Sequence, residues 1–153
     1  MNYYNFQVTL QEVPGEVSLC FSICGCPLKC EGCHSPFLWK KENGSKLTMA
    51  SYQSYLNQYK NLASCVLFMG GEWHEEELIS FLKLANKMTY KTCLYTGENS
   101  VSNTITQELD WIKVGKWDAT LGGLTSSKTN QKFIDLKTNT ILNNLFTKPE
   151  IHD

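Results

Sequence analysis

Cys65-Val66-Leu67-Phe68-Met69-Gly70-Gly71-Glu72-Trp73-His74-Glu75-Glu76-Glu77-Leu78 is the stretch that decides the fold. An unbroken apolar run, with no polar side chain offered to water on either face, describes a parallel strand covered on both sides. Gly70-Gly71 closes it in a tight turn, and three successive glutamates then favour the positive end of a helix. Leu78, Phe81, Leu82 and Ala85 recur at helical spacing, with Lys83 and Lys87 toward the helix end. Strand, glycine turn and acidic helix start make one β-α step.

The same grammar extends in both directions. Downstream, Thr92-Cys93-Leu94-Tyr95-Thr96 precedes Gly97, a helix is expected from about Val101 to Leu109, and Trp111-Ile112-Lys113-Val114 precedes Gly115. Upstream, Val17 to Ile23 alternates as a strand, after an aromatic and β-branched stretch from Tyr3 to Val13 that ends in the Pro14-Gly15 turn. Thr48 can cap a helix reaching Lys60, with Met49, Tyr52, Leu56 and Tyr59 at helical spacing. Residues 116–130 are polar and glycine-bearing, a long loop before the strand Lys132 to Leu136. The tail from Asn139 is expected to form a short helix around Ile141, Leu142, Leu145 and Phe146. A chain of 153 residues then reads as one α/β domain, 1–153, with ligands at the C-terminal ends of its strands.

Composition excludes several classes of partner. All 14 basic residues are lysine, the acidic residues number 15, and the net charge of −1 lacks the basic footprint of a nucleic-acid binder. Without arginine there is no bidentate phosphate fork. No stretch approaches the ~20 apolar residues that cross a bilayer, and Met1 to Asn5 lacks the flank of a secretory signal, so a cytoplasmic protein with no membrane partner is expected.

Seven cysteines are the unusual feature, five of them between Cys20 and Cys33. A reducing compartment and an odd total point them to metal or redox chemistry rather than disulfides. Cys26-x3-Cys30-x2-Cys33 places three thiols in one loop, 24–34, just after a strand, with Gly25 and Gly32 to let the backbone wrap a cluster. Three thiolates on a [4Fe-4S] cube leave the fourth iron open to another ligand. Cys24 joining them would instead complete a tetrahedral zinc site, although a two-residue offset is tight. Cys65 and Cys93 fit buried strand positions.

These motifs resemble the radical S-adenosylmethionine (SAM) superfamily, and within it the small activating proteins of anaerobic ribonucleoside-triphosphate reductase. The superfamily's cysteine motif falls on Cys26, Cys30 and Cys33, and Cys30-Glu31-Gly32-Cys33-His34 matches this branch. Pro14-Gly15, Trp39, Gly70-Gly71-Glu72, Tyr95-Thr96-Gly97, Lys113-Val114-Gly115, Leu121-Gly122-Gly123-Leu124-Thr125 and Thr129-Asn130-Gln131 follow in the expected order, about nine tenths of the chain. Trp73 stands where many relatives have proline, and Cys24 is an additional thiol, read as a non-ligand.

The resemblance implies an incomplete radical SAM β/α barrel with a curved, mostly parallel sheet, and a [4Fe-4S] cluster held by Cys26, Cys30 and Cys33 whose open iron SAM chelates. It implies that Gly70, Gly71 and Glu72 hold the methionine end of SAM, that Gly32, Cys33 and His34 line the face near its nucleoside, and that Tyr95 and Thr96 belong to the same site. One electron would cleave SAM to methionine and a 5′-deoxyadenosyl radical, which takes a hydrogen from a glycine of the reductase large subunit. A flavodoxin-like or ferredoxin-like protein would supply that electron. Loop 116–130 is the candidate partner surface. The rivals are an activator of another glycyl-radical enzyme, a small radical SAM peptide-modifying enzyme, and a non-catalytic zinc module. His74 reads as a helix-start surface residue and His152 as part of a frayed end.

Overall fold

A computed structural model describes residues 1–147. The strands are β1 (Asn2–Thr9), β2 (Ser18–Ile23), β3 (Ser45–Lys46), β4 (Cys65–Met69), β5 (Lys91–Tyr95), β6 (Trp111–Val114), β7 (Lys132–Asp135) and β8 (Thr140–Ile141). The helices are α1 (Met49–Gln58), α2 (Glu75–Lys87) and α3 (Asn103–Thr106). All strands join one open sheet in the order β3-β1-β2-β4-β5-β6-β7-β8.

The sheet is mixed rather than mostly parallel. Its centre, β2-β4-β5-β6, is parallel, while β1 and β3 on one flank and β7 and β8 on the other are antiparallel. Connection chemistry explains the correction. A parallel return needs a crossover long enough for a helix, and α1, α2 and α3 provide one for each central pair. The short Pro14-Gly15 link between β1 and β2 holds no helix and permits only an antiparallel return, and the 116–130 connection, though longer, holds none either. The result is an open, barrel-like sheet without a full β/α ring.

One face of the sheet packs against the helices. Phe21 and Phe68 lie 5.5 Å apart, stacked, and Tyr52 of α1 and Phe81 of α2 close over them. The buried Tyr52 hydroxyl donates to the Phe81 carbonyl at 2.8 Å, so the ring enters the core with its polar end satisfied. On the opposite face Cys20, Leu67 and Cys93 stand abreast on neighbouring strands, with Cys65 and Phe133 beside them. Burial pushes the Cys20 and Cys65 thiols up to about 12 and the Cys93 thiol well above its ordinary value. These three thiols are neutral packing groups.

α1 starts where expected, with Thr48 and Ser51 each accepting from the other's backbone N–H at 3.0 and 3.1 Å, and ends at Gln58. The helix expected over 101–109 is only the single turn of α3. Thr92 explains the truncation: its hydroxyl takes the Glu108 carbonyl at 2.6 Å and its N–H the Asp110 carboxylate at 2.9 Å, drawing this segment out of helix toward β6. In the tail, Ile141 belongs to β8 and Asn143–Leu145 form a 3₁₀ turn in place of an α-helix, because Leu142 N–H bonds the Phe133 carbonyl and Asn143 caps Phe133 N–H. His152 lies outside the described residues. Among the described residues no helix is long and apolar enough to cross a membrane.

Candidate metal centre

β2 delivers the chain to the parallel strands' C-terminal edge, where the cysteine loop begins. Gly25 N–H and Cys26 N–H both bond the Leu38 carbonyl, at 2.7 and 3.1 Å, which ties the loop's two ends together. Within it Cys33 N–H bonds the Cys30 carbonyl at 3.1 Å, and Gly32 takes φ +68°, a conformation that a β-carbon disfavours. Burial raises the Cys26 thiol above its ordinary value, while the Leu28 and Lys29 amides act against burial by stabilising the thiolate. Ser35 N–H lies 3.3 Å from Cys33 Sγ.

Cys26, Cys30 and Cys33 line one cavity of about 230 Å³. The ends of three parallel strands complete its wall, through Gly70 and Glu72 after β4, Tyr95 and Thr96 at the end of β5, and Lys113 on β6. Gly70 must be glycine twice over: it holds φ +83°, and a β-carbon there would sit 2.7 Å from the Trp73 ring. Trp73 therefore seals the turn against the cavity, and its indole Nε1 is buried with no hydrogen-bond partner.

Charge inside the cavity is uneven. The Thr96 hydroxyl donates to Glu72 Oε1 at 2.5 Å, while Glu72 Oε2 is buried without a partner. Burial raises the Glu72 carboxyl above its ordinary value, with the Thr96 hydrogen bond opposing it. Lys113 is its counterpart: burial lowers its ammonium, Cys30 and Glu72 oppose that shift, and Nζ lies 5.6 Å from the Tyr95 ring centroid. Among the described residues Lys113 forms no ion pair within 4.0 Å. A buried acceptor and a half-buried cation on one cavity wall can together receive a zwitterion.

Not every expected residue meets here. Gly71 faces Ile23 and Met1, each 3.4 Å from where its β-carbon would lie. Gly32 borders an adjoining groove of about 660 Å³ with Glu31, Asn99, Asp118 and Thr120. His34 is exposed and packs its ring 4.4 Å from Trp117, and Tyr95 spends its hydroxyl on the Glu12 carbonyl. Cys24 is fully buried beside Gly44, where a β-carbon would come within 2.7 Å of Sγ, and is absent from the cavity wall. Trp117, the second residue of the long loop, borders both cavity and groove, and sequence reasoning passed over it. An aromatic in an otherwise polar loop was the available signal.

The donor set bears on what the cavity can hold. Among the described residues no three Cys, His, Asp or Glu side chains gather around a single point. What the chain offers is three thiols on one cavity wall at Cys-x3-Cys-x2-Cys spacing, a sulfur donor set of the kind that iron-sulfur clusters use, with an unpartnered carboxylate oxygen beside them. The residues present fit an iron-sulfur cluster. No curated protein matches the sequence. Residues 13–140 match the 4Fe-4S single cluster domain, most of the chain including the whole cysteine loop, and the chain belongs to that family.

Proposed function

We propose that the chain is a radical SAM activating enzyme that takes a hydrogen atom from a glycine of the anaerobic ribonucleoside-triphosphate reductase. The observation that carries this reading is the shared cavity: three thiols with the expected spacing face Gly70 and the unpartnered Glu72 Oε2 across about 230 Å³. When bound, the reduced cluster supplies the electron that splits SAM into methionine and a 5′-deoxyadenosyl radical.

The chain's own residues bind and orient. Cys26, Cys30 and Cys33 would hold three irons, leaving one for the methionyl amine and carboxylate of SAM. Glu72 Oε2 would accept an N–H of that amine while Thr96 holds the other oxygen, and the Gly70 turn brings backbone close without a side chain between. Of the remaining expected residues, Tyr95 lines the same cavity and would help position SAM, while Gly32, His34 and Gly71 lie outside its wall. No acid or base is required of the protein.

A protein substrate would approach through the groove beside Trp117, where Glu31, Asn99, Asp118, Thr120 and Asn130 offer hydrogen-bond partners to a main chain. The electron would come from a flavodoxin-like or ferredoxin-like donor. Charge reversal at Lys116, Asp118 and Lys128 tests loop 116–130: unchanged reductase binding and activation would remove it as a contact surface.

The deciding experiment is anaerobic cluster reconstitution, then reduction with SAM, scored for methionine and 5′-deoxyadenosine and repeated with the reductase. A fully loaded protein that leaves SAM intact removes the enzyme reading. Cleavage without a glycyl radical on the reductase keeps the chemistry and rejects this substrate.

A further inference from the structure

Tyr4 on β1 and Phe37 just past the cysteine loop expose two large aromatic rings to solvent, 47% and 42% of their surface, with centroids 4.6 Å apart. Such a pair gains little on the surface of an isolated chain, and aromatic residues are enriched at protein contacts. This pair is also held firmly. Phe37 and Leu38 belong to a 3₁₀ turn, and Asn43 Nδ2 donates to the Phe37 carbonyl at 2.7 Å.

The pair lies one residue from the metal centre. Leu38 lines the thiol cavity, and its carbonyl accepts from Cys26 N–H at 3.1 Å, so Phe37 connects to a proposed cluster ligand through one peptide unit and one hydrogen bond. Lys40 and Lys41 follow at once and are exposed, and Asn2 Nδ2 fixes the Lys41 carbonyl at 3.1 Å. Over residues 27–46 the chain carries four lysines and two glutamates, a local excess of positive charge in a protein whose net charge is −1. This surface is attractive to an acidic partner although the whole molecule is not.

Resting on the iron-sulfur reading above, we propose that Tyr4, Phe37, Lys40 and Lys41 form the docking surface of an acidic one-electron carrier protein. One electron passes from the reduced carrier to the cluster, the carrier is oxidised by one electron, and no bond is made or broken. Strand order sets this entrance apart from the proposed substrate groove. Tyr4 belongs to β1 on one side of β2, whereas the groove residues other than Glu31 and Gly32 of the cysteine loop, namely Asn99, Lys116 to Thr120 and Asn130, flank β5, β6 and β7 on the other. Carrier and protein substrate therefore approach opposite flanks of the cluster.

The test uses the reconstituted protein, with reduced plant-type ferredoxin as the acidic carrier and dithionite as a small reductant. Phe37→Ser, and separately the double variant Lys40→Glu/Lys41→Glu, should slow optical bleaching by ferredoxin at least ~10-fold and weaken oxidised ferredoxin in calorimetric titration by a similar factor, equivalent to about 1.4 kcal/mol. Dithionite should bleach all three proteins equally. Raising the salt concentration should slow the parent protein with ferredoxin and leave the lysine variant nearly unaffected. Equal ferredoxin rates and affinities in parent and variants overturn the docking surface while leaving the cluster reading intact. A parent protein that takes up no cluster reducible by dithionite overturns both.

Discussion

Thr96 donates its hydroxyl to one oxygen of Glu72 at 2.5 Å and leaves the other, Oε2, buried and unpartnered. A half-satisfied carboxylate is expensive in a folded protein unless something arrives to complete it. Burial raises its pKa, so the native state keeps this proton to higher pH than the unfolded chain does. Stability at this group is therefore greatest below the ordinary value of 4.5 and falls as pH rises through the folded value. Glu72→Gln should stabilise the ligand-free protein by about 1 kcal/mol at neutral pH, with the gain disappearing in acid. The same change should weaken SAM at least ~10-fold. Denaturation at two pH values and a SAM titration check both arms; a variant less stable at neutral pH would show Oε2 to be satisfied already.

Gly70 and Trp73 make a coupled pair. Gly70→Ala meets two penalties, about 1–2 kcal/mol for a β-carbon at positive φ and a further cost for the 2.7 Å approach to the Trp73 ring. Trp73→Ala should relieve the second and not the first. A double-mutant cycle by chemical denaturation is expected to show favourable coupling of at least ~0.5 kcal/mol. Additive effects would mean that the ring moves aside freely, and the tryptophan would then not brace the turn.

Five of the seven cysteines should separate in one experiment. Serine at Cys26, Cys30 or Cys33 should abolish the broad iron-sulfur absorption of the reconstituted protein with little change in the stability of the cluster-free fold. Serine at Cys93, fully buried among apolar neighbours, should do the reverse, costing about 1–3 kcal/mol through a buried hydroxyl. Cys24→Ser should keep the absorption, since that thiol packs by Gly44 away from the cavity. Loss of absorption at Cys24 equal to that at Cys26 would make it a ligand.

What was legible in the sequence depended on the distance over which each signal acts. Cys65–Met69 and Glu75–Lys87 read correctly because burial on both faces and helical spacing are written locally. Residues 101–109 misled because their helical pattern was overridden by Thr92, which lies on another strand and captures Glu108 and Asp110. β1 and β7 stood where strands were expected, but their antiparallel direction was missed for a related reason: strand direction is set by what the connection contains, and an apolar alternation carries no direction. At the site, Cys26, Cys30, Cys33, Gly70 and Glu72 stood in recognisable motifs. Trp117 stood in none of them and reaches the same cavity because the parallel register aligns Tyr95 with Lys113, shortly before it in the chain. Gly71 and His34, adjacent in sequence to lining residues, point elsewhere, as neighbours on a tight turn commonly do.

Trp117 offers the sharpest test of how cavity and groove communicate. Its ring borders both spaces, rests 4.4 Å from His34, and approaches Gly32 and Gly123 to 3.6 Å of their would-be β-carbons. It thus joins the long loop to the cysteine loop, beside the groove through which, on the proposed reading, a substrate glycine approaches. Trp117→Ala should free the two loops from each other. Small losses of alignment between reacting atoms are costly, up to about 100-fold per ångström, so hydrogen transfer should suffer more than SAM cleavage. The expected signature is a fall of about tenfold in glycyl radical formed per 5′-deoxyadenosine released, measured by electron paramagnetic resonance against product analysis. Trp117→Phe keeps a ring against His34 and should recover much of the loss. If the ratio stays constant while both quantities fall together, Trp117 belongs to the SAM site itself, and the approach of the substrate must be sought on another wall.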